Sequence, residues 1–315
     1  MLWIVGFNFR VGSALVFIGG RPRKILSLPS LKITQLCLGK IMCRWIAYTG
    51  PPLLMEELVL KPKYSLIEQS YSCREGAEPT NGDGFGLGWY SDKSQPGVFR
   101  STEPAWNDRN LASLAKHVRS RLFIAHVRAT TGTPIQQTNC HPFCYGNWML
   151  AHNGLIAEFH RLRRELAFAI EPALFPLVEG STDSEIMFYL ALTFGLEKEP
   201  VAALEKMAGF VEQVGRRQGV EHPLQMTLAL SDGQRLFAVR YSSQHASRTL
   251  YHNANLAALQ QVNPAPNLFA EGAVAVVSEP LDNMEEHWVK VPESSLLTVE
   301  NGKVTTQDFQ PRTNG

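Results

Sequence analysis

The sequence predicts an α+β fold, organised as one large domain behind a dissimilar N-terminal stretch. Three observations lead there. Several short runs alternate apolar and polar residues with period two, as half-buried strands do. Longer runs carry apolar residues at helical spacing, one of them behind a capping signal. No 20–50-residue repeat is present. Of 315 residues, 44% are hydrophobic and 19% charged, enough apolar side chain for a packed core.

The elements follow in order. Residues 43–49 read as a strand that Gly50-Pro51-Pro52 ends. Gly82-Asp83-Gly84-Phe85-Gly86-Leu87-Gly88-Trp89-Tyr90 is a glycine-rich turn running into a strand. No Lys-Ser/Thr follows it and no helix opens there, so it predicts tight backbone packing rather than a phosphate loop. In 122–128, Phe123, Ala125 and Val127 point one way and His126 and Arg128 the other. A further strand over 148–154 stops at an Asn153-Gly154 turn.

Helices are expected over about 157–169, 183–195 and 199–215. The first carries Leu162, Leu166 and Ala169 on one stripe. The second carries Ile186, Leu190 and Phe194, and it opens with the capping-box spacing Thr182-Asp183-Ser184-Glu185. Strands follow at 225–231, 235–241, 273–278 and 296–300, the first two joined by an Asp232-Gly233 hairpin signal.

Bulk properties exclude several classes. A formal net charge of +1 gives no long-range bias toward nucleic acid or an anionic membrane. Five cysteines, an odd number, argue against a disulfide framework and for a reducing, cytoplasmic compartment. Cys140, His141, Cys144 and His152 lack paired C-x2-C spacing, so no zinc site and no cofactor is expected.

Residues 1–42 do not resemble the rest. The start lacks the basic region of a secretory signal, and Arg10 interrupts the apolar stretch 2–20. We read 1–42 as a poorly ordered extension, from a mis-called start or a segment later removed, with a membrane anchor as a third reading, and 43–310 as the domain. Translation from Met42, with that methionine trimmed, would make Cys43 the first residue. One residue would then carry a thiol and a free α-amine, with unperturbed pKa values near ~8.5 and ~8. Such a pair is a nucleophile with its own base.

Four motifs then line up: Cys43; His126-Val127-Arg128-Ala129-Thr130-Thr131-Gly132; Ala151-His152-Asn153-Gly154; and Ser181-Thr182-Asp183-Ser184-Glu185. Asn139-Cys140-His141-Pro142-Phe143 lies between the second and third. In order and spacing the set resembles the class II glutamine amidotransferase domain of the N-terminal-nucleophile (Ntn) hydrolases, from Cys43 to about residue 300. It looks most like the stand-alone, YafJ-type branch, near the amidohydrolases that cleave γ-glutamyl bonds. Ser278-Glu279-Pro280-Leu281, with Trp288 and Val291-Pro292, is similar to the C-terminal part of that branch.

The resemblance implies a four-layer αββα sandwich with Cys43 starting a central strand, and an amidohydrolase acting on glutamine or a γ-glutamyl amide. By the family's scheme Cys43 is the nucleophile, its α-amine the base, and a γ-glutamyl thioester the intermediate. Asn153 and Gly154 stand where the family places its oxyanion hole. Arg128 matches the arginine that binds the substrate carboxylate, and Asp183 the acid that receives its ammonium. The family's synthases follow the arginine with Trp-Ala-Thr; here Ala129-Thr130-Thr131 lacks the tryptophan, and either threonine could contact substrate. His152 is a further candidate for substrate binding, although His126 and His152 could equally be structural. Asp83, Gly84 and Gly86 match a family turn near the site.

Other readings stand beside this one. A catalytically silent regulatory or binding module on the same fold would hold if residues 1–42 stay attached, because the α-amine would then be an amide. A glutaminase subunit could supply ammonia to a separate acceptor or synthase partner. Cys140 could be the nucleophile of a Cys-His hydrolase. The expected substrate is a small molecule, with no nucleic acid and no membrane involved.

Overall fold

The computed structural model describes residues 15–18, 21–24, 43–72, 80–130, 132–263 and 268–313. The chain divides into two compact units, Met1–Lys40 and Ile41–Gly315. In the first, β1 (Leu15–Ile18) and β2 (Arg21–Lys24) pair antiparallel. The expectation of a poorly ordered 1–42 otherwise lies outside the described residues.

The second unit begins with β3 (Arg44–Leu54), α1 (Glu56–Val59), α2 (Leu66–Tyr71), β4 (Phe85–Trp89), β5 (Gly97–Ser101), α3 (Arg109–His117) and β6 (Arg119–Val127). It continues with β7 (Phe143–Tyr145), β8 (Trp148–Ile156), α4 (Phe159–Phe168), α5 (Asp183–Thr193), α6 (Pro200–Arg217), β9 (Leu224–Ser231) and β10 (Leu236–Ser242). It ends with β11 (Tyr251–Asn253), α7 (Leu256–Val262), β12 (Val274–Val277), β13 (Trp288–Lys290), β14 (Ser295–Glu300) and β15 (Lys303–Asp308). One sheet has the order β13-β11-β12-β3-β6-β4-β5, the other β15-β14-β10-β9-β8-β7. All pairings are antiparallel.

Strand alternation assigns each residue to a layer. Trp45, Ala47, Ile124, Met149, Ala151, Ala229, Ala238 and Val276 fill the space between the sheets. On the seven-stranded sheet, Ile46, Tyr48, Phe123, Ala125 and Val127 point the other way, onto Leu58, Leu66, Leu111 and Leu259 of α1, α2, α3 and α7. On the six-stranded sheet, Leu150, Leu228, Leu230 and Val239 meet Leu162, Ile186, Leu190 and Met207 of α4, α5 and α6. The result is the αββα sandwich, with β3 in the middle of its sheet.

Three local expectations change. Gly50-Pro51-Pro52 does not end the first strand. β3 continues to Leu54, and its register against β6 shifts between Thr49 and Leu53. Proline cannot donate to a ladder, and a bulge is where a strand tolerates that loss. Asn153-Gly154 is not a turn but the interior of β8, opposite Thr227 and Met226 of β9; tertiary pairing overrides turn propensity here. α5 has no single apolar stripe: residues 184–192 are all buried, because the helix packs on β8 and between α4 and α6.

The alternate glycines of β4 acquire a reason. Phe85 and Leu87 enter the helical side, while Gly86 and Gly88 face the other sheet. A Cβ on Gly86 would lie 2.0 Å from the His141 carbonyl oxygen, and one on Gly88 2.6 Å from Pro142 Cγ. The 140–143 segment therefore crosses between the sheets directly over β4. The Asp232-Gly233 hairpin forms as expected: Asp232 Oδ1 accepts from the Gln234 and Arg235 N–H groups, at 2.9 and 2.7 Å, and Gly233 takes φ 87°.

Candidate active site

Cys43 lies one residue before the β3–β6 ladder, which begins at Arg44 opposite Val127. Its partly buried thiol faces the end of β6. Sγ donates to the Ala129 carbonyl and accepts from the Ala129 N–H, both at 3.4 Å. Burial pushes the thiol pKa up. The Ala129 N–H and the guanidinium groups of Arg128 and Arg44 pull it back, and Asp183 raises it further. The nucleophile candidate is therefore a neutral thiol that needs a base to give up its proton.

Arg128 follows β6 and is 3% exposed. Its backbone N–H donates to the Gly84 carbonyl. Its guanidinium donates to the Asp83 carbonyl (3.3 Å), the Thr130 and Thr133 hydroxyls (3.3 and 2.6 Å) and the Pro134 carbonyl (3.3 Å). Among the described residues no carboxylate lies within ion-pair distance of it. Arginine cannot shed its proton, so this is a buried cation held by neutral acceptors, with a charge left to balance. The Asp83 carboxylate instead accepts from the Thr130 N–H at 2.7 Å, fixing the loop that cages the guanidinium.

Asp183 is the first residue of α5. Thr182 caps the helix by accepting from the Glu185 N–H at 3.2 Å. Glu185 departs from the usual capping box by accepting from the Glu179 and Gly180 N–H groups. The Asp183 carboxylate accepts from Ile156 N–H (2.7 Å), Ser184 N–H (2.8 Å) and the Ser184 hydroxyl (3.3 Å). No Lys or Arg pairs with it among the described residues. These bonds fix the carboxylate at the first turn of the helix.

His152 points to the α5 side of β8 and shares a 2.8 Å hydrogen bond with Ser184 Oγ. It reaches Asp183 through Ser184 and so stands behind that carboxylate. Burial lowers its pKa against the pull of Asp183. Asn153, the next residue, faces between the sheets and is buried, and its side-chain amide makes no hydrogen bond to the described residues. Gly154 admits no side chain: a Cβ there would meet the Gln225 carbonyl oxygen at 2.0 Å.

The structure thus gathers Cys43, Arg128, Thr130 and Asp183 in one place, with Asn153 and Gly154 on the adjoining strand. The Thr130 hydroxyl is engaged by Arg128 and by Thr133, so it braces the arginine. Thr131 lies outside the described residues.

Several neighbours lie outside the four motifs that supplied the site candidates. Asn139, fully buried, ties Pro134 to Ser181 and so links the arginine loop to the start of α5. Arg44 donates to the Cys43 carbonyl at 2.9 Å and pairs with Glu279. Chemistry-bearing residue types 235 positions apart give no local pattern to find. Cys140 differs from Cys43 in being fully buried, with Sγ donating to the Ser101 and Gln136 carbonyls. Among the described residues no three His, Cys, Asp or Glu side chains converge as a metal site, and no helix is long and apolar enough to cross a membrane.

Comparison with known proteins identifies the family. The class II glutamine amidotransferase family matches residues 57–314. The probable glutamine amidotransferase DUG3 of Saccharomyces cerevisiae is 30% identical over 291 residues, covering 82% of each chain. The gamma-glutamyl-hercynylcysteine sulfoxide hydrolase of Mycolicibacterium smegmatis is 28% identical over 268 residues, 84% of this chain and 98% of that one. Among solved structures, a glutamine aminotransferase class-II domain protein from Silicibacter pomeroyi superposes with a TM-score of 0.66 at 32% identity, covering 86% of this chain and all of that one. The glutamine phosphoribosylpyrophosphate amidotransferase of B. subtilis, at 15% identity and a TM-score of 0.59, shares the fold over half its length. The chain belongs to the class II glutamine amidotransferases, amidohydrolase-type enzymes on the Ntn αββα fold.

Proposed function

We propose that this protein hydrolyses the side-chain amide of glutamine or of a γ-glutamyl amide, with Cys43 as nucleophile, in a form whose chain begins at Cys43. One observation carries the reading. The thiol sits beside a buried guanidinium, Arg128, and a hydrogen-bonded carboxylate, Asp183, neither of which has an ion-pair partner among the described residues. A free α-amino acid head group supplies the two missing partners, its carboxylate to Arg128 and its ammonium to Asp183. A planar guanidinium suits a carboxylate. An internal peptide residue has neither charge, so the arrangement selects a γ-glutamyl compound. The γ-glutamyl bond in the name of the mycobacterial relative supports the same choice.

The steps balance without a cofactor. The α-amine of Cys43 takes the thiol proton, directly or through water, and Sγ attacks the δ-carbonyl carbon. The carbonyl π pair moves onto oxygen, where the Asn153 amide and the Gly154 N–H are the proposed donors. The C–N bond then breaks, the amine's proton goes to the leaving nitrogen, and a thioester remains. Water, deprotonated by the same amine, adds to the thioester and releases glutamate and the thiol. Thr130, and Thr131 beside it, would shape the carboxylate end, and His152 would hold Asp183 through Ser184. A free thiol nucleophile suits a reducing compartment, and we place the enzyme in the cytoplasm. In this reading residues 1–42 are absent from the working enzyme, because an amide nitrogen at Cys43 has no basicity.

The test is hydrolysis of L-glutamine and of L-γ-glutamyl-p-nitroanilide, together with the intact mass of the native protein. A chain starting at Cys43 should be active, Cys43→Ala should lose activity by roughly 10⁴-fold or more, and Cys140→Ala should keep it. Full activity in Cys43→Ala, or in a chain that retains residues 1–42, would overturn the proposal.

A further inference from the structure

A residue that begins a chain has no preceding peptide to hold it, and chain ends fray unless tied down. Cys43 also lies outside the ladder, which starts at Arg44. Its position is instead tied from a segment more than 230 residues away. Arg44 Nη1 donates to the Cys43 carbonyl at 2.9 Å, and Arg44 Nε donates to Glu279 Oε1 at 2.5 Å. Both side chains of that ion pair are 2% exposed. Next to it, the Trp45 N–H donates to Ser278 Oγ and the Ser278 N–H to the Trp45 carbonyl, each at 3.0 Å. The Gln69 amide, from α2, donates to the Glu279 carbonyl at 3.5 Å.

We infer that Arg44 and Glu279, with Ser278, form a positioning clamp that holds residue 43, its thiol and its amine together, in register with Arg128 and Asp183. This rests on the reading of Cys43 as an N-terminal nucleophile. Fold stability alone is a weak reason for the pair, since buried ion pairs are commonly replaceable by apolar residues at no loss. Apolar residues cannot hold a carbonyl, however, and the carbonyl is the nearest fixed point to both reacting groups of Cys43. Glu279 has a second effect. The charged groups around residue 43 are Arg44 on its own strand, Arg128 after β6, Arg248 between β10 and β11, Asp183 on α5 and Glu279 after β12. Cations outnumber anions three to two. Removing the Glu279 charge takes an anion away from this group and disfavours a protonated amine.

Two variants test this in the chain that begins at Cys43: Glu279→Gln, close to isosteric, and the double change Arg44→Met with Glu279→Leu, which fills the space without charge. Each is assayed for kcat and KM on γ-glutamyl-p-nitroanilide, inhibition by glutamate, thermal midpoint and the pH profile of kcat/KM. The clamp predicts an intact fold, an unchanged inhibition constant for glutamate, and a kcat lower by about 10²-fold in the double variant, since small misplacement of a reacting group has that cost. In Glu279→Gln the acid limb should move down by about one pH unit. A pair needed only for folding would lower the midpoint and leave kcat and the pH profile alone. Wild-type kcat and pH profile in Glu279→Gln, or wild-type kcat in the folded double variant, overturns the clamp. Cys43→Ala separates the two claims: if it stays active the nucleophile assignment fails, and if it is dead while the clamp variants behave as wild type, only the clamp fails.

Discussion

Two arginines are buried beside Cys43, and they are buried in different ways. Arg44, 1% exposed, has its charge met by Glu279. Arg128, 3% exposed, is met among the described residues by carbonyl and hydroxyl oxygens. Since neither can deprotonate, the difference lies in what balances the charge. Arg44 is complete within the protein and serves to hold its neighbour. Arg128 has no carboxylate partner among the described residues, which is the arrangement its proposed role in binding a substrate carboxylate requires. Burial alone would have ranked the two alike.

The comparison can be broken in four ways. Arg44→Met by itself should lose the most stability, about 3–5 kcal/mol by urea denaturation, because it breaks a buried ion pair by removing one partner. Arg128→Met strands no charge, so its denaturation midpoint should fall less, while kcat/KM for γ-glutamyl-p-nitroanilide drops by roughly 10²–10³-fold, the usual cost of truncating one partner of a buried charge pair. If Arg128→Met proved the less stable protein and kept its activity, the roles assigned to the two arginines would be reversed.

Histidine extends the contrast, since burial can neutralise it where it cannot neutralise arginine. His126, His141 and His152 all have lowered pKa values, chiefly from burial, with His126 at about 3. As pH falls below about 6.5 the unfolded chain takes up protons that the folded one refuses. The stability these residues leave intact above pH 6.5 is therefore lost on acidification, by about 2 kcal/mol at pH 5 for His126, with His141 and His152 acting in the same direction. Urea midpoints at pH 7.5 and 5.0 check this; equal values would mean that the rings accept protons in the folded state. The smallest effect expected is at the α5 cap. Thr182→Ala should cost about 1 kcal/mol and raise KM through Asp183, without changing the pH profile.

Much of this site was legible as residue types in order. Cys43, Arg128, Asn153-Gly154 and Asp183 could be singled out as candidates because each sits in a short motif, and the capping threonine placed Asp183 at a helix start. Strand alternation sorted Phe123, Ala125 and Val127 from His126 and Arg128 correctly, because side chains on a strand have only two directions. The same local logic failed at Gly50-Pro51-Pro52 and Asn153-Gly154, where turn-forming residues lie inside strands that their neighbours hold extended.

Alternation, capping and motif order were determined by the sequence itself, because they depend on residues within about one turn or one strand of each other. The tertiary structure decided what those groups face. It surrounded Arg128, among the described residues, with neutral oxygens, joined Arg44 to Glu279 across 235 residues, and ran His141-Pro142 over Gly86 and Gly88. The physical reason is common to all three: charge balance and close packing are set by distance in space, which a linear chain does not record.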